Sequence, residues 1–155
     1  MNYVSVFAFG IGIVAGLRSL TAPAVVAWGA HLNWLNLHGS PLVFMGSTTA
    51  VAIFSLLAIG ELIADKLPTM AKRTAPVPLM ARIITGGLCG ACLCAAAGKS
   101  LAAGALLGGI GGVAGAFLGY DIRRRLVNDA HIKDSVVAVC EDVVAIGLAL
   151  FLVSR

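Results

Sequence analysis

Five ionisable residues, Arg18, Glu61, Arg82, Glu141 and Asp142, stand within or just inside long apolar runs of this chain, and any chemistry it does starts with them. At mid-bilayer each charge is unfavourable by about 2.5–3.5 kcal/mol, so such residues pair, face a cavity or carry function. Arg18 and Glu141, each near the middle of its span, are the expected pair. Arg18 lies in GLRSLTAP, residues 16–23, where Ser19, Thr21 and Pro23 disturb helical hydrogen bonding. Proline lacks an N–H and clashes with the preceding turn, so a break or kink is expected between Arg18 and Pro23. Unwound backbone at membrane depth survives only against protein or a water-filled cavity, and broken helices recur in transporter binding sites.

These residues suggest distinct roles. Arg18, with Ser19 and Thr21 beside it, would bind a negative group of a solute or hold a carboxylate such as Glu141. A purely structural ion pair pinning two helices is the even alternative. Glu141 and Asp142 are adjacent, so on a helix they point about 100° apart and cannot share one small site. A desolvated Glu141 would be a candidate proton carrier. Glu61 with Arg82 would gate or brace one end of the bundle, and Glu61, Asp65 and Lys66 read equally well as a solvated helix cap.

Other chemistry finds little support. Cys89 and Cys92 are spaced CxxC, but no second pair follows and no histidine lies near, so these, Cys94 and Cys140 read as reduced packing residues rather than metal ligands. His31 and His38 share a loop without acidic company, and His131 reads as a solvated loop residue. No HExxH, GxSxG or phosphate-binding loop is present. Neither an enzyme nor a bound metal or cofactor is expected.

The elements that position these residues follow from composition. The chain has 155 residues, 59% hydrophobic and 12% charged, with a mean hydropathy of +0.98. A soluble domain carries about a quarter charged residues, so this is a polytopic membrane protein in one domain over residues 1–155. At roughly 20 residues per helical crossing, the length accommodates about five. An all-α arrangement is expected, because strand-length alternation is absent. Expected spans are 3–30, interrupted at GLRSLTAP, then 41–67 starting at Pro41, 79–98, 100–120 and 135–153. Trp28 and Trp34 flank the polar loop 31–40, where indoles favour the headgroup level.

Orientation follows from basic residues near span ends. Lys66, Lys72, Arg73, Arg123, Arg124, Arg125 and Lys133 gather on one side, against Lys99 and Arg155 on the other. The first group is expected to be cytoplasmic. The net charge of +4 therefore indicates topology, not nucleic acid, with anionic lipid as a second partner for Arg123 to Arg125. The uncleaved N-terminus is then inside and the C-terminus outside. If residues 3–30 form a re-entrant hairpin turning at Arg18, the N-terminus moves outside. In the fourth span, Gly104, Gly108 and Gly112 form one row and Gly111, Gly115 and Gly119 another, a glycine-zipper-like pattern implying two close helix neighbours. Gly86 and Gly90 could supply one of them.

The strings ELIADKLPTMAKRTAPVPLMARIITGGLCGA (61–91), GLRSLTAP (16–23) and GYDIRRRL (119–126) resemble a family of small bacterial membrane proteins catalogued as a domain of unknown function, number 4126. The resemblance covers nearly the whole chain. It implies a bacterial inner-membrane location and a compact helical fold, and no activity. The residues themselves favour a transporter- or channel-like protein for a small anionic or cationic solute, in a homo-oligomer among membrane lipids. The alternative is a structural or regulatory protein assembled through glycine faces and ion pairs, without transport.

Overall fold

The computed structural model describes residues 3–67 and 74–155. They form α1 (Tyr3–Leu17), α2 (Thr21–His31), a 3-10 turn at Val43–Gly46, α3 (Thr48–Ala64), α4 (Pro76–Ala96), α5 (Leu101–Asn128) and α6 (Asp134–Val153), with no strand among the described residues. The helices α4, α5 and α6 are long and apolar enough to cross a membrane, and α1 and α3 are shorter apolar helices. This all-helical, apolar make-up is that of a membrane protein. Lys72 and Arg73, two of the seven residues behind the expected orientation, lie outside the described residues.

Local sequence sets the helix ends. The Ser47 hydroxyl accepts the Ala50 N–H at 3.1 Å and starts α3, so the helix begins seven residues after Pro41, the expected start. Pro76 and Pro78 lie in the first turn of α4, where a missing N–H leaves nothing unsatisfied, so α4 starts three residues before the expected Leu79. Just past its end at Ala96, Gly98 has a φ of +65° that suits glycine and lets the Lys99 N–H close on the Cys94 carbonyl at 2.8 Å. The next helix, α5, runs eight residues past the expected end at Tyr120, carrying Arg123 to Arg125 on helix rather than loop.

The first apolar region is where expectation and structure differ most. It does not kink and continue; the chain reverses. A Cβ on Gly10 of α1 would meet Leu152, and one on Gly29 of α2 would meet Val153. Both glycines thus reach the same end of α6, whereas 19 residues of continuous helix would separate them by about 28 Å. The hairpin alternative replaces the single crossing, and the described N-terminal end lies at the same end of the molecule as the loop after α2 and the C-terminus. The physical reason is that residues 18–20 leave the helix and Pro23, three places into α2, falls where its missing N–H matters least.

The centre of the molecule is the packing of α1, α4 and α5 through glycine. Added Cβ atoms on Gly86 and Gly112 would stand 2.5 Å from the Gly108 carbonyl oxygen and 2.6 Å from the Arg82 carbonyl oxygen, tying α4 to α5 in antiparallel register. Gly111 and Gly115 meet the backbone of α1 at Phe9 and Ile13, and Gly12 meets Gly108. Backbones this close leave no room for a methyl group, and the contact area gained is van der Waals attraction that lipid does not reproduce. The consequence is a rigid three-helix wall on which the hairpin turn is mounted.

Candidate functional site

The hairpin turn, residues 18–20, is held by side chains from three other helices. On the α3 side, the Ser19 N–H and hydroxyl donate to Glu61 Oε1 at 2.9 and 2.7 Å, and the Leu20 N–H donates to Oε2 at 2.8 Å. Glu61 thereby acts as the cap that α2 lacks locally, since Leu20 at the cap position has no acceptor side chain. Its negative charge also faces the positive end of the α2 dipole. On the α4 side, buried Arg82 donates from Nε to the Gly16 carbonyl at 2.9 Å and from Nη1 to the Pro78 carbonyl at 3.2 Å. Gly16 lies in the last turn of α1, so a cation meets the negative end of that helix. Both broken ends are therefore satisfied by charge of the matching sign.

Arg18 itself, 1% exposed, is turned inward to carboxylates. Its Nη1 lies 2.8 Å from Asp65 Oδ2 and its Nη2 contacts Asp142 Oδ1. The expected Arg18–Glu141 pair is corrected: Asp142 of α6 takes that place, because the two neighbours point about 100° apart and only one can face the turn. Glu141 instead lies 3.9 Å from Arg123 Nη1. Arg123 grips Asp134 with two bonds of 2.7 Å and reaches Asp65 at 3.3 Å, so Asp65 is shared by two arginines. Thr21 sits buried at the start of α2 with its hydroxyl unpartnered.

The structure thus brings Arg18, Ser19, Glu61, Arg82 and Asp142 to one turn and sets Glu141 at its edge. Glu61 and Arg82, expected to gate or brace one end of the bundle, hold opposite ends of the break. Asp65 and Arg123 are the members sequence reasoning undervalued. Glu61 and Asp65 are four apart, hence on one face of a helix, and that spacing was the available signal. Nothing in the sequence connected Arg123 to this site.

Beside the turn, between α3 and α4, opens a cleft of about 390 Å³. Its polar wall is Ser19, Glu61, Asp65 and Arg82, and its apolar wall includes Leu57, Ala64 and Ala81. Among the described residues no group of three or more metal-ligating side chains occurs. His31 and His38 line a separate pocket at the other end of the molecule, where His31 Nδ1 lies 2.9 Å from the Gly46 carbonyl.

The family model described as Domain of unknown function (DUF4126) matches residues 6–154 of this chain. The chain belongs to that family. In this DUF4126 member the matched range contains the hairpin from Val6 onward and every residue of the turn site. No curated protein and no solved structure matches the chain.

The capping role of Glu61 gives a testable result. Glu61→Ala strips three donors of their acceptor, and each one left unsatisfied is worth up to about 1–3 kcal/mol. Glu61→Gln keeps one acceptor oxygen but turns an NH2 toward a donor, so stability should fall in the order wild type, glutamine, alanine. Thermal unfolding in one detergent, with hydrogen exchange at Ser19 and Leu20, reads it. Equal exchange in all three proteins would remove Glu61 as the cap.

Proposed function

We propose that the protein is a transporter- or channel-like membrane protein that handles a small solute or ion at the turn between α1 and α2. The observation that carries the reading is the cleft of about 390 Å³ whose polar wall is made by the residues that hold a broken helix together. A solute there would meet Ser19, Glu61, Asp65 and Arg82, and any shift of Glu61 or Arg82 toward it would release a helix end. Binding and movement of the hairpin would then be one event. This is the economy that discontinuous helices lend to transporters.

In this reading Arg18 is a lock instead of a solute ligand, because its cationic head is already divided between Asp65 and Asp142. The membrane is the bacterial inner membrane, entered by the α1–α2 hairpin as a re-entrant element and crossed by α3 to α6. The basic end with Lys66, Arg123 to Arg125 and Lys133 faces the cytoplasm. Both termini then lie outside. The two glycine rows of α5 act as a zipper within the protomer, and a homo-oligomer completes a pathway that one small protomer is short of.

A second reading has its own observation: the 1% exposure of Arg18 is what a dry structural pin between helices gives. Flux from reconstituted vesicles separates the two. Purified protein in liposomes should move at least one of a panel of small anions, cations and protons above protein-free vesicles, and Glu61→Gln should reduce that flux severalfold. Folded protein that moves none of the panel would make helix assembly the function of these charges.

A further inference from the structure

We propose that the groove between α5 and α6 holds one acyl chain of an anionic phospholipid, with the headgroup on the basic end of the two helices. The proposal does not rest on transport. It starts from an oddity of packing: α5 and α6 are joined by a five-residue connection, Asp129 to Lys133, yet hardly touch. Helices joined so closely ordinarily pack as antiparallel neighbours. Here α5 gives its glycine faces to α1 and α4, while α6 packs mainly on α1 and α2. A gap of about 210 Å³ is left between consecutive helices.

The walls of that gap are regular. From α5 come Gly119, Ile122 and Leu126, and from α6 come Val137, Cys140 and Val144, each set at spacings of three and four. Each stripe runs about 10 Å along its helix. Gly119 keeps the slot open where a side chain would narrow it, and Leu17, the last residue of α1, closes it on the inner side. A helix is about 10 Å across with its side chains, too thick for a slot of this volume, whereas a chain of methylenes fits. Size therefore selects an acyl chain over a second copy of this protein.

The charge pattern selects the headgroup. Lys133 stands one turn before Val137, at the N-terminal cap of α6 and so at the mouth of the slot. It is exposed and forms no ion pair among the described residues. Near an anionic surface each such cation contributes about 1 kcal/mol, or about fivefold in affinity. The chain would lie against Leu17, next to Arg18, and beside Arg123 and Glu141, so the lipid would also seal the ion-pair network on its membrane side.

The test uses full-length protein from vesicles of mixed phosphatidylethanolamine and phosphatidylglycerol, extracted in mild detergent and weighed by native mass spectrometry. Wild type should retain about one lipid, predominantly the anionic one. Cys140→Trp, which fills the slot, should lose it while unfolding at an unchanged temperature. Should that variant fold poorly, alkylation of Cys140 in folded wild type with a bulky maleimide serves the same purpose and should expel the lipid. Lys133→Glu should keep the chain site but lower the preference for the anionic lipid by about fivefold or more. Three results would overturn the proposal: no retained lipid, equal retention after the slot is filled, or equal retention of both headgroups. Ready disulfide cross-linking through Cys140 between copies in the vesicles would also overturn it, by putting a second chain over the groove.

Discussion

Gly108→Ala should sharply lower the yield of folded protein, whereas Gly147→Ala, in a helix of the same membrane, should leave it unchanged or slightly raised. A Cβ on Gly108 would overlap the Gly86 carbonyl oxygen of α4, with the Gly86 carbonyl carbon at 2.8 Å and the Gly90 Cα at 3.1 Å. These are backbone atoms of a packed helix, so no rotamer change relieves the overlap. The only response is for α5 to move away from α4, and α1 is in the way because Gly12 lies on the other side of Gly108. Overpacking of this kind is worth about 1–3 kcal/mol when side chains can yield, and more when backbone is the obstacle. At Gly147 nothing lies within 4 Å of the added methyl, and alanine in a helix interior is favoured over glycine by about 0.5–1 kcal/mol. Size-exclusion yield and thermal unfolding in one detergent compare the pair. Equal behaviour of the two variants would mean that α1, α4 and α5 do not pack as closely as the geometry requires.

Arg18→Leu is the second large effect expected. Removing the guanidinium leaves Asp142, 14% exposed, without its arginine, and leaves Asp65, 18% exposed, held by Arg123 but without the charge that separates it from Asp142. Stripping one partner from a buried ion pair destabilises by about 3–5 kcal/mol, because the remaining charge is left in a poor solvent. Arg18→Lys should recover part of this only, since a single ammonium cannot serve two carboxylates in the way a planar fork does. Arg18→Leu combined with Asp65→Asn and Asp142→Asn should recover more stability than Arg18→Lys, because Asp142 no longer carries a stranded charge and Asp65 no longer opposes it. Reversible unfolding in detergent measures the series. Failure of the triple variant to improve on Arg18→Leu would show that Arg18 does not act through these carboxylates. The triple variant also bears on function: stable protein without the locked turn should show altered flux if the hairpin moves, and unchanged behaviour if the pair is only a pin.

Much of the fold was legible because lipid imposes a simple rule. Long apolar runs become helices, and the positions of α4 and α6 and the start of α5 follow within a few residues. The misjudged boundaries share one cause: prolines and arginines were read as ends of apolar segments, whereas a proline in a first turn and charges beyond the bilayer are both compatible with helix. Thus α4 begins at Pro76 and α5 continues through Arg125. The turn at GLRSLTAP was also legible as a break, since Ser19, Thr21 and Pro23 mark it locally.

The sequence by itself determined that this is an all-helical, lipid-adapted chain with a broken first helix and an arginine at the break. It also determined that charged residues on distant segments had to answer one another. The tertiary structure alone decided that the break is a reversal and that Glu61 and Arg82 hold opposite helix ends. It also decided that Arg18 joins Asp65 and Asp142 in place of Glu141. The physical reason is range. Burial and backbone hydrogen bonding are written in the composition and period of each segment. Partner choice among like-charged side chains depends on which helix face meets the turn, and that is set by glycine contacts between residues distant in the chain, such as Gly12 and Gly108.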